Sequence, residues 1–310
     1  MVTLFSFRKP VPAATLPPPV VPPPVVPPPV GTLRIGLGQL LVEGGEPARN
    51  LARATELIAQ AAAENCDLVL LPETLDFAWT HPSALHEAQP IPGLFSDQLC
   101  AAAAAQGLYV CAGLTERAAD GRNYNAAILI DPQGQIILKY HKINLLAIEQ
   151  PFYAVGQTLN VVDTPLGKIG VNICADNYLD ALPIGHTLAR MGAEFIIAPA
   201  SWTVDYSITE EHDPYREKWL KPFSILAQLY NVVVVSTTSV GYIVGGPYEG
   251  KKSVGCSLAV DAHGVQARGT FNEFASQLVV ATLNRPHRPE RGTEIGAALE
   301  RKGYQFDQLR

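Results

Sequence analysis

Three reactive side chains stand directly after apolar segments of the sequence: Glu73 after DLVLLP, Lys142 after ILKYH and Cys174 after KIGVNI. Each segment is typical of a buried strand, and in open α/β sheets the ligand crevice lies beyond the carboxyl ends of the strands. A cysteine thiol is mostly protonated at neutral pH, so a nucleophilic cysteine needs a base or a cation nearby. Taken singly, each residue is more simply a solvated charge or a core thiol, so residue type and spacing alone leave the roles of Glu73, Lys142 and Cys174 open.

Other chemistries leave no comparable pattern in the sequence. Gly36 and Gly38 lie inside a predicted strand and lack the third glycine of a dinucleotide-binding turn. The run GGPYEGKK, residues 245–252, ends in lysine where a phosphate loop carries serine or threonine. The seven histidines show neither H-x-H nor H-x-x-x-H spacing, and the G-x-S-x-G turn of serine hydrolases is missing. We therefore expect neither a cofactor nor a metal.

Strand and helix periodicities alternate from Gly31 onward, which predicts one α/β domain over residues 31–310. NAAILID and QIILKYHK form a hairpin, because Pro132-Gln133-Gly134 between them has the chemistry of a turn. The other predicted strands are TLRIGLGQL, CDLVLL, LYVCAGL, LGKIGVNI, EFIIAPA and NVVVVSTT, followed by a closing pair, CSLAVD and QLVVATL.

Helices are predicted between these strands. The first begins at Pro47 and the second covers 96–106, with Ser96 as its N-terminal cap. Two further helices are predicted over 181–191 and 214–229.

The first 30 residues differ from the rest of the chain, since they hold 11 of the 26 prolines in the near-repeat PPPVVPPPVVPPPV. We predict a polyproline II tail over residues 1–30. It is more simply a spacer than a ligand for a polyproline-binding domain, because no arginine flanks its PxxP spacing. The apolar stretch before Arg8 is shorter than the core of a secretory signal, so we expect a cytoplasmic protein.

Composition excludes several classes of partner. The 29 acidic and 23 basic residues give a net charge of −6 without any lysine or arginine run, so nucleic acid is not expected to bind. No window reaches the roughly 18 apolar residues of a membrane helix, so no membrane partner is expected. The five cysteines are widely spaced and form no C-x-x-C pair, which suits free thiols in a reducing compartment.

The segments LPETLDF, KYHKINL and GVNICADNY, in that order, resemble the Glu, Lys and Cys boxes of the nitrilase superfamily of carbon-nitrogen hydrolases. GRNYNAAILIDPQG and GCSLAVDAHG are similar to further family segments, so the resemblance covers residues 32 to 283. It implies an α-β-β-α sandwich of two mixed sheets covered by helices, commonly assembled as a homodimer or higher homo-oligomer. AIEQPFYAVGQT resembles the segment with a second active-site glutamate, here Glu149, although Ala-Val-Gly stands where Pro-Gly is usual.

The resemblance and the chemistry of the side chains together suggest roles. Glu73 would accept the thiol proton as general base and return it to the departing ammonia. Lys142 and the backbone N–H of Ala175 would stabilise the oxyanion. Glu149 would hold the side chains of Lys142 and Glu73 in position relative to each other.

The substrate is expected to be a small amide. Family members that take carboxylate-bearing amides resemble C-Y-D-x-R-F-P-E, and Tyr178 stands at the arginine position of that motif. Since a carboxylate needs a charged partner in an apolar pocket, the sequence favours an uncharged amide, with Tyr178 and Trp202 as pocket walls. A nitrile and an N-carbamoyl amide remain alternative substrates. A non-catalytic scaffold that recruits partners through the Pro-rich tail is a further alternative, disfavoured by the intact Glu73, Lys142 and Cys174.

Overall fold

The computed structural model describes residues 31–212 and 216–286, together with 298, 299, 301 and 303. The Pro-rich segment 1–30 and the first residues of the helix predicted over 214–229 lie outside the described residues. No helix in the described part of the chain is long and apolar enough to cross a membrane.

Fifteen strands are present in the described residues: β1 Thr32–Gln39, β2 Leu68–Leu70, β3 Tyr109–Arg117, β4 Asn123–Ile130, β5 Ile136–His141, β6 Val161–Thr164, β7 Gly167–Val171, β8 Phe195–Ala200, β9 Thr203–Val204, β10 Val233–Thr238, β11 Val240–Tyr242, β12 Lys252–Val254, β13 Leu258–Asp261, β14 Gly264–Arg268 and β15 Gln277–Asn284. The α-helices there are α1 Pro47–Ala63, α2 Ala84–Glu87, α3 Leu94–Gln106, α4 Leu182–Arg190 and α5 Lys221–Tyr230. Short 3₁₀ turns cover Cys174–Asn177, Leu179–Ala181 and Glu210–His212, and a π-helical turn covers Arg216–Leu220.

Two six-stranded sheets form the centre of the fold. The first has the order β15-β1-β2-β3-β4-β5 and the second β14-β13-β10-β8-β7-β6. Both are mixed: β1, β2 and β3 run parallel, as do β7, β8 and β10, whereas the outer strands pair antiparallel. A small third sheet, β11-β12-β9, stands beside them.

The two large sheets pack face to face, with helices on their outer faces. Because side chains alternate along a strand, Leu68 and Leu70 of β2 join the core shared with Ile197 and Val235 of the second sheet, while Val69 joins the cluster under α1 and α3. Helices α4 and α5 contact the second sheet. This is the α-β-β-α sandwich that the resemblance implies, so the predicted fold class is confirmed.

Helix α1 begins at Pro47 as predicted and buries one face. Helix α3 begins at Leu94 instead of Ser96, so the predicted cap is wrong. Gly93 occupies the cap position, and its backbone N–H donates a hydrogen bond to the Ser96 hydroxyl at 2.9 Å. The serine therefore stabilises the first turn from inside the helix.

The predicted closing pair is also wrong, because CSLAVD and QLVVATL lie in different sheets. Strand β13 lies between β10 and β14 in the second sheet, whereas β15 lies beside β1 in the first. Strand β14 was not predicted, since most of its residues are exposed and it lacks an apolar pattern. The helix predicted from 214 is divided into a π-helical turn and α5, which begins at Lys221 just before Pro222.

Candidate active site

Each of the three predicted reactive residues lies just beyond the carboxyl end of a strand. Glu73 follows β2, Lys142 follows β5 and Cys174 follows β7. All three are buried, with exposed fractions of 0%, 1% and 5%. The first sheet carries Glu73 and Lys142, and the second carries Cys174. The cluster therefore forms only where the two sheets face each other.

Lys142 lies between two carboxylates. Its Nζ is 2.8 Å from Glu73 Oε1 and 2.8 Å from Glu149 Oε1. Burial lowers the pKa of Lys142, but the charges of Glu149 and Glu73 outweigh burial and hold that pKa well above its usual value. Lys142 is therefore a fixed cation and cannot serve as the base.

Glu149 has hydrogen bonds on both of its carboxylate oxygens. Trp79 Nε1 donates to Oε1 at 2.7 Å, and the Leu146 N–H donates to Oε2 at 2.8 Å. Asn125 Nδ2 lies 3.3 Å from the same Oε1. With every oxygen engaged, Glu149 is suited to positioning Lys142 rather than to transferring a proton.

Glu73 is bound through one oxygen only. Its Oε1 accepts hydrogen bonds from Lys142 Nζ at 2.8 Å and Asn125 Nδ2 at 2.6 Å. Its Oε2 is buried and has no hydrogen-bond partner among the described residues. Burial raises the pKa of Glu73, and the Glu149 charge raises it further. Lys142 and Asn125 lower this pKa without cancelling the increase. One oxygen of a carboxylate with raised basicity is thus available to take a proton.

Cys174 opens the 3₁₀ turn with a φ of 44°, in the left-handed region that non-glycine residues rarely adopt. Asp176 holds this turn in place. Its Oδ2 accepts hydrogen bonds from the Ile173 N–H at 2.9 Å and the Tyr140 hydroxyl at 2.7 Å, and its Oδ1 accepts one from the Asn144 N–H at 2.7 Å. The strain at Cys174 is therefore maintained by a buried carboxylate two residues away.

The buried environment of Cys174 favours the protonated form of its thiol. Burial raises the pKa of Cys174 well above its usual value, and the Glu73 charge raises it further. Lys142 and the Ser201 N–H lower it without cancelling the increase. A nucleophilic role for Cys174 would therefore require a base, in contrast to cysteines that are ionised at rest.

A cavity of about 210 Å³ reaches Cys174. Tyr178 and Trp202 both line it, and Trp202 stacks on Trp219 with ring centroids 4.4 Å apart. Tyr248 and Trp79 add further aromatic walls. The structure thus places both sequence-predicted wall residues at one cavity.

Four further residues contribute to the site and were not predicted from the sequence: Asn125, Trp79, Asp176 and Trp219. Asn125 lies in the GRNYNAAILIDPQG segment, yet an amide in an apolar strand carries no spacing signal for catalysis. Trp79 and Trp219 are indistinguishable from core aromatics in sequence.

Ala175 follows Cys174 in the same turn, and its carbonyl accepts a hydrogen bond from Asn144 Nδ2 at 2.8 Å. Within the described ranges, no group of three or more His, Cys, Asp or Glu could hold a metal ion.

The model of the carbon-nitrogen hydrolase family matches residues 34–288. A nitrilase of Pyrococcus abyssi is 35% identical over 167 residues, covering 52% of this chain and 62% of that protein. An omega-amidase of Xenopus tropicalis is 27% identical over 180 residues, covering 55% and 64%. A deaminated glutathione amidase of Homo sapiens is 29% identical over 232 residues, covering 70% and 67%. The matches to the first two relatives span less than two thirds of their length.

Solved structures of an amidase from Nesterenkonia sp. share the fold. One aligns with a TM-score of 0.70 and 18% identity, covering 86% of this chain and 96% of that one. Another is described as showing covalent addition of the acetamide moiety of fluoroacetamide at the active site cysteine of that amidase. At this identity the likeness concerns the fold.

Proposed function

The chain belongs to the carbon-nitrogen hydrolase family, and on that premise we propose that it hydrolyses a small amide to a carboxylic acid and ammonia through a thioester on Cys174. The observation that carries this proposal is the difference in hydrogen bonding between the two carboxylate oxygens of Glu73. Its Oε1 accepts the Lys142 hydrogen bond at 2.8 Å, while its Oε2 has no hydrogen-bond partner among the described residues. A general base with one free oxygen, oriented through the other, is what a protonated nucleophile requires.

In the acylation step, Glu73 removes the thiol proton as the Cys174 sulfur attacks the amide carbon. The new C–S bond places negative charge on the former carbonyl oxygen. Lys142 Nζ uses two of its three N–H donors on Glu73 and Glu149, so the third and the Ala175 N–H are available for the oxyanion. As the tetrahedral intermediate collapses, Glu73 returns the proton to nitrogen, the C–N bond breaks and ammonia leaves.

In the second step, Glu73 removes a proton from a water molecule that attacks the thioester carbon. The C–S bond breaks, the carboxylic acid is released, and the thiolate recovers the proton. Lys142 remains charged throughout because its pKa lies well above its usual value. The same residues therefore serve both half-reactions with one proton moving through Glu73.

The test is ammonia release across a panel of neutral amides, carbamoyl amino acids and nitriles. We expect turnover of an amide by the full chain and a loss of at least about a hundredfold in Glu73→Gln, the scale of general base catalysis. Glu56→Gln removes an exposed carboxylate from α1 and is the matched control. Turnover by Glu73→Gln at the wild-type rate, or no ammonia from any amide, would contradict the proposal.

We also propose that the chain assembles as a homodimer or higher homo-oligomer, as members of the resembling family commonly do. Exposed aromatic side chains on the surface support it: Tyr242 and Phe274 are 44% and 70% exposed, with ring centroids 6.0 Å apart. Analytical ultracentrifugation of the full chain measures the assembly directly. A monomer at micromolar concentration would contradict it.

A further inference from the structure

A second, smaller cavity shares part of its wall with the cavity that reaches Cys174. The two cavities have Trp79, Ser201 and Thr203 in common. We propose that the smaller cavity is the site of the water molecule that hydrolyses the Cys174 thioester. The inference rests on the proposed amidase function and names the source of the water for its second step.

The volume of the smaller cavity suits a single water molecule. It measures about 20 Å³, against about 210 Å³ for the larger cavity. A buried water needs roughly 10 to 15 Å³ of space, so one water fits and an amide substrate does not. The smaller cavity is therefore a site for solvent and not an extension of the substrate pocket.

The wall of the smaller cavity carries four side-chain hydroxyls, those of Ser201, Thr203, Ser239 and Ser253. The hydrogen bonds described among them are long. Ser201 Oγ lies 3.3 Å from Ser239 Oγ, and Thr203 Oγ1 donates to the Ser201 carbonyl at 3.3 Å. A buried water is held by roughly two to four polar partners, and a hydroxyl can donate or accept as the water requires. This wall therefore supplies enough partners to hold a water in place.

The larger cavity is less suited to holding the water. Its wall includes five aromatic side chains: Trp79, Tyr178, Trp202, Trp219 and Tyr248. In the thioester, the acyl group of the substrate is attached to Cys174 and takes up space in this same cavity. Water that approaches through it must pass between the acyl group and the rings, whereas the smaller cavity stays clear of the acyl group.

Ser201 connects the smaller cavity to the reacting groups. Its backbone N–H lies against the Cys174 thiol and lowers the pKa of that thiol. Its hydroxyl lies 3.4 Å from the Glu73 carbonyl oxygen and 3.3 Å from Ser239 Oγ. One residue thus contacts the nucleophile, the backbone of the base and the wall of the smaller cavity. A water held at this wall has a short path to the thioester.

The water molecule supplies both the oxygen and the proton that the second step needs. Its oxygen forms a bond to the thioester carbon, and Glu73 takes one of its protons. The C–S bond then breaks, its electron pair stays on sulfur, and Glu73 returns the proton to the thiolate. The products are the carboxylic acid and the free thiol. Solvent can replace the water beside Tyr242, a wall residue that is 44% exposed.

The test measures how the thioester is divided between water and hydroxylamine, a nucleophile larger than water. Water gives the acid and hydroxylamine gives a hydroxamate, and their ratio is independent of how fast the thioester forms. Ser239→Val fills the smaller cavity with a larger side chain that has no hydrogen-bonding group. With the amide that the wild type hydrolyses fastest, we expect this variant to raise the ratio of hydroxamate to acid by at least about tenfold.

Two further variants separate the cavity from general effects of the substitution. Ser253→Val fills the same cavity from β12 and should raise the ratio in the same direction. Ser236→Val is the matched control in β10, because the Ser236 hydroxyl donates to the Ala198 carbonyl at 2.8 Å and lines neither cavity. It should lower stability but leave the ratio within about twofold of the wild type. An unchanged ratio in both cavity variants, or an equal rise in Ser236→Val, overturns the inference.

A crystal structure of the full chain keeps this inference separate from the proposed function. If the wild type releases no ammonia from any amide, the amidase proposal fails, and the crystal structure still decides whether the water site exists. An ordered water within hydrogen-bond distance of at least two of the four hydroxyls, lost in Ser239→Val, supports the site. No such water in the wild type, or its retention in Ser239→Val, overturns it.

Discussion

Gly113 of β3 lies directly against the backbone of Glu73. A Cβ atom at position 113 would stand 2.5 Å from Glu73 Cα and 2.7 Å from the Pro72 carbonyl oxygen. The Gly113 N–H donates to that same carbonyl at 3.0 Å. Glu73, the proposed general base, therefore packs on a glycine of the neighbouring strand, and only the absence of a side chain at position 113 permits this approach.

Gly113→Ala should displace Glu73 and remove most activity while the fold survives. The contacts are with backbone atoms, which cannot rotate away, so the loop must shift, and a shift of about 1 Å in a catalytic group can cost about a hundredfold in rate. Steady-state kinetics and thermal melting measure the two effects. Gly36→Ala is the control: its Cβ would meet the Leu278 side chain at 3.0 Å, and a side chain can move. Full activity in Gly113→Ala would show that Glu73 tolerates displacement.

Cys174→Ser should abolish turnover and keep the fold. A serine hydroxyl is far less acidic than a thiol, so Glu73 cannot ionise it readily. Ammonia release and circular dichroism measure the outcome, and a thiol alkylator should inactivate the wild type with one equivalent incorporated at Cys174. Cys111→Ala, in the buried part of β3, should lower stability without removing chemistry. Retention of most activity in Cys174→Ser would rule out the thioester.

The pH dependence should follow the ionised form of Glu73. Burial raises the pKa of Glu73 above 4.5, its usual value. The form that accepts a proton exists above this pKa, so activity should be lost as the pH falls through it, with a midpoint above 4.5. Lys142 should contribute no alkaline loss below pH 10.5, because its pKa lies well above that value. The measurement is kcat/KM for an uncharged amide across this range. An acid midpoint at or below 4.5 would contradict the assignment.

Amides should be preferred to nitriles. An amide develops negative charge on oxygen, where Lys142 and the Ala175 N–H are proposed to converge, whereas a nitrile develops it on nitrogen along a linear axis. We expect kcat/KM for phenylacetamide to exceed that for phenylacetonitrile by at least about a hundredfold, or about 2.7 kcal/mol. Equal or reversed values would indicate a nitrilase with the same three residues.

Removal of residues 1–30 should leave activity and melting temperature unchanged. The first backbone contact described at this end is at Gly31, whose carbonyl accepts a hydrogen bond from the Arg285 N–H at 3.0 Å. The Pro-rich segment has no apolar periodicity with which to join the core. A large fall in either quantity would show that the tail packs on the domain or on a neighbouring subunit.

Removal of residues 298–310 is the informative contrast. Leu299 is 2% exposed and belongs to the core cluster between the sheets. The shortened chain should therefore melt earlier, and Leu299→Ala alone should cost about 2 to 5 kcal/mol of stability. An unchanged melting temperature would contradict this packing. Loss of the oligomer in the shortened chain would indicate in addition that the segment contacts a partner subunit.

Local patterns in the sequence predict much of the sandwich. The alternation of strand and helix periods, the turn at Pro132-Gln133-Gly134 and the helix start at Pro47 all match the structure. These features are local, because turn chemistry and hydrophobic period act over a few neighbouring residues. The predictions of the Ser96 cap and of the pairing between the last two predicted strands were wrong. A cap depends on where the preceding chain bends, and strand pairing depends on residues far away in the sequence.

Apolar runs and their ends lie in consecutive residues, so local patterns predict that Glu73, Lys142 and Cys174 each follow a strand. The packing of the two sheets brings Glu73 and Lys142 of the first sheet together with Cys174 of the second, and no local pattern predicts it. Burial leaves Glu73 Oε2 without a hydrogen-bond partner among the described residues and raises the pKa values of Glu73 and Cys174, the proposed base and nucleophile. Distances, desolvation and coupled charges arise between residues far apart in the chain, so no local pattern encodes them.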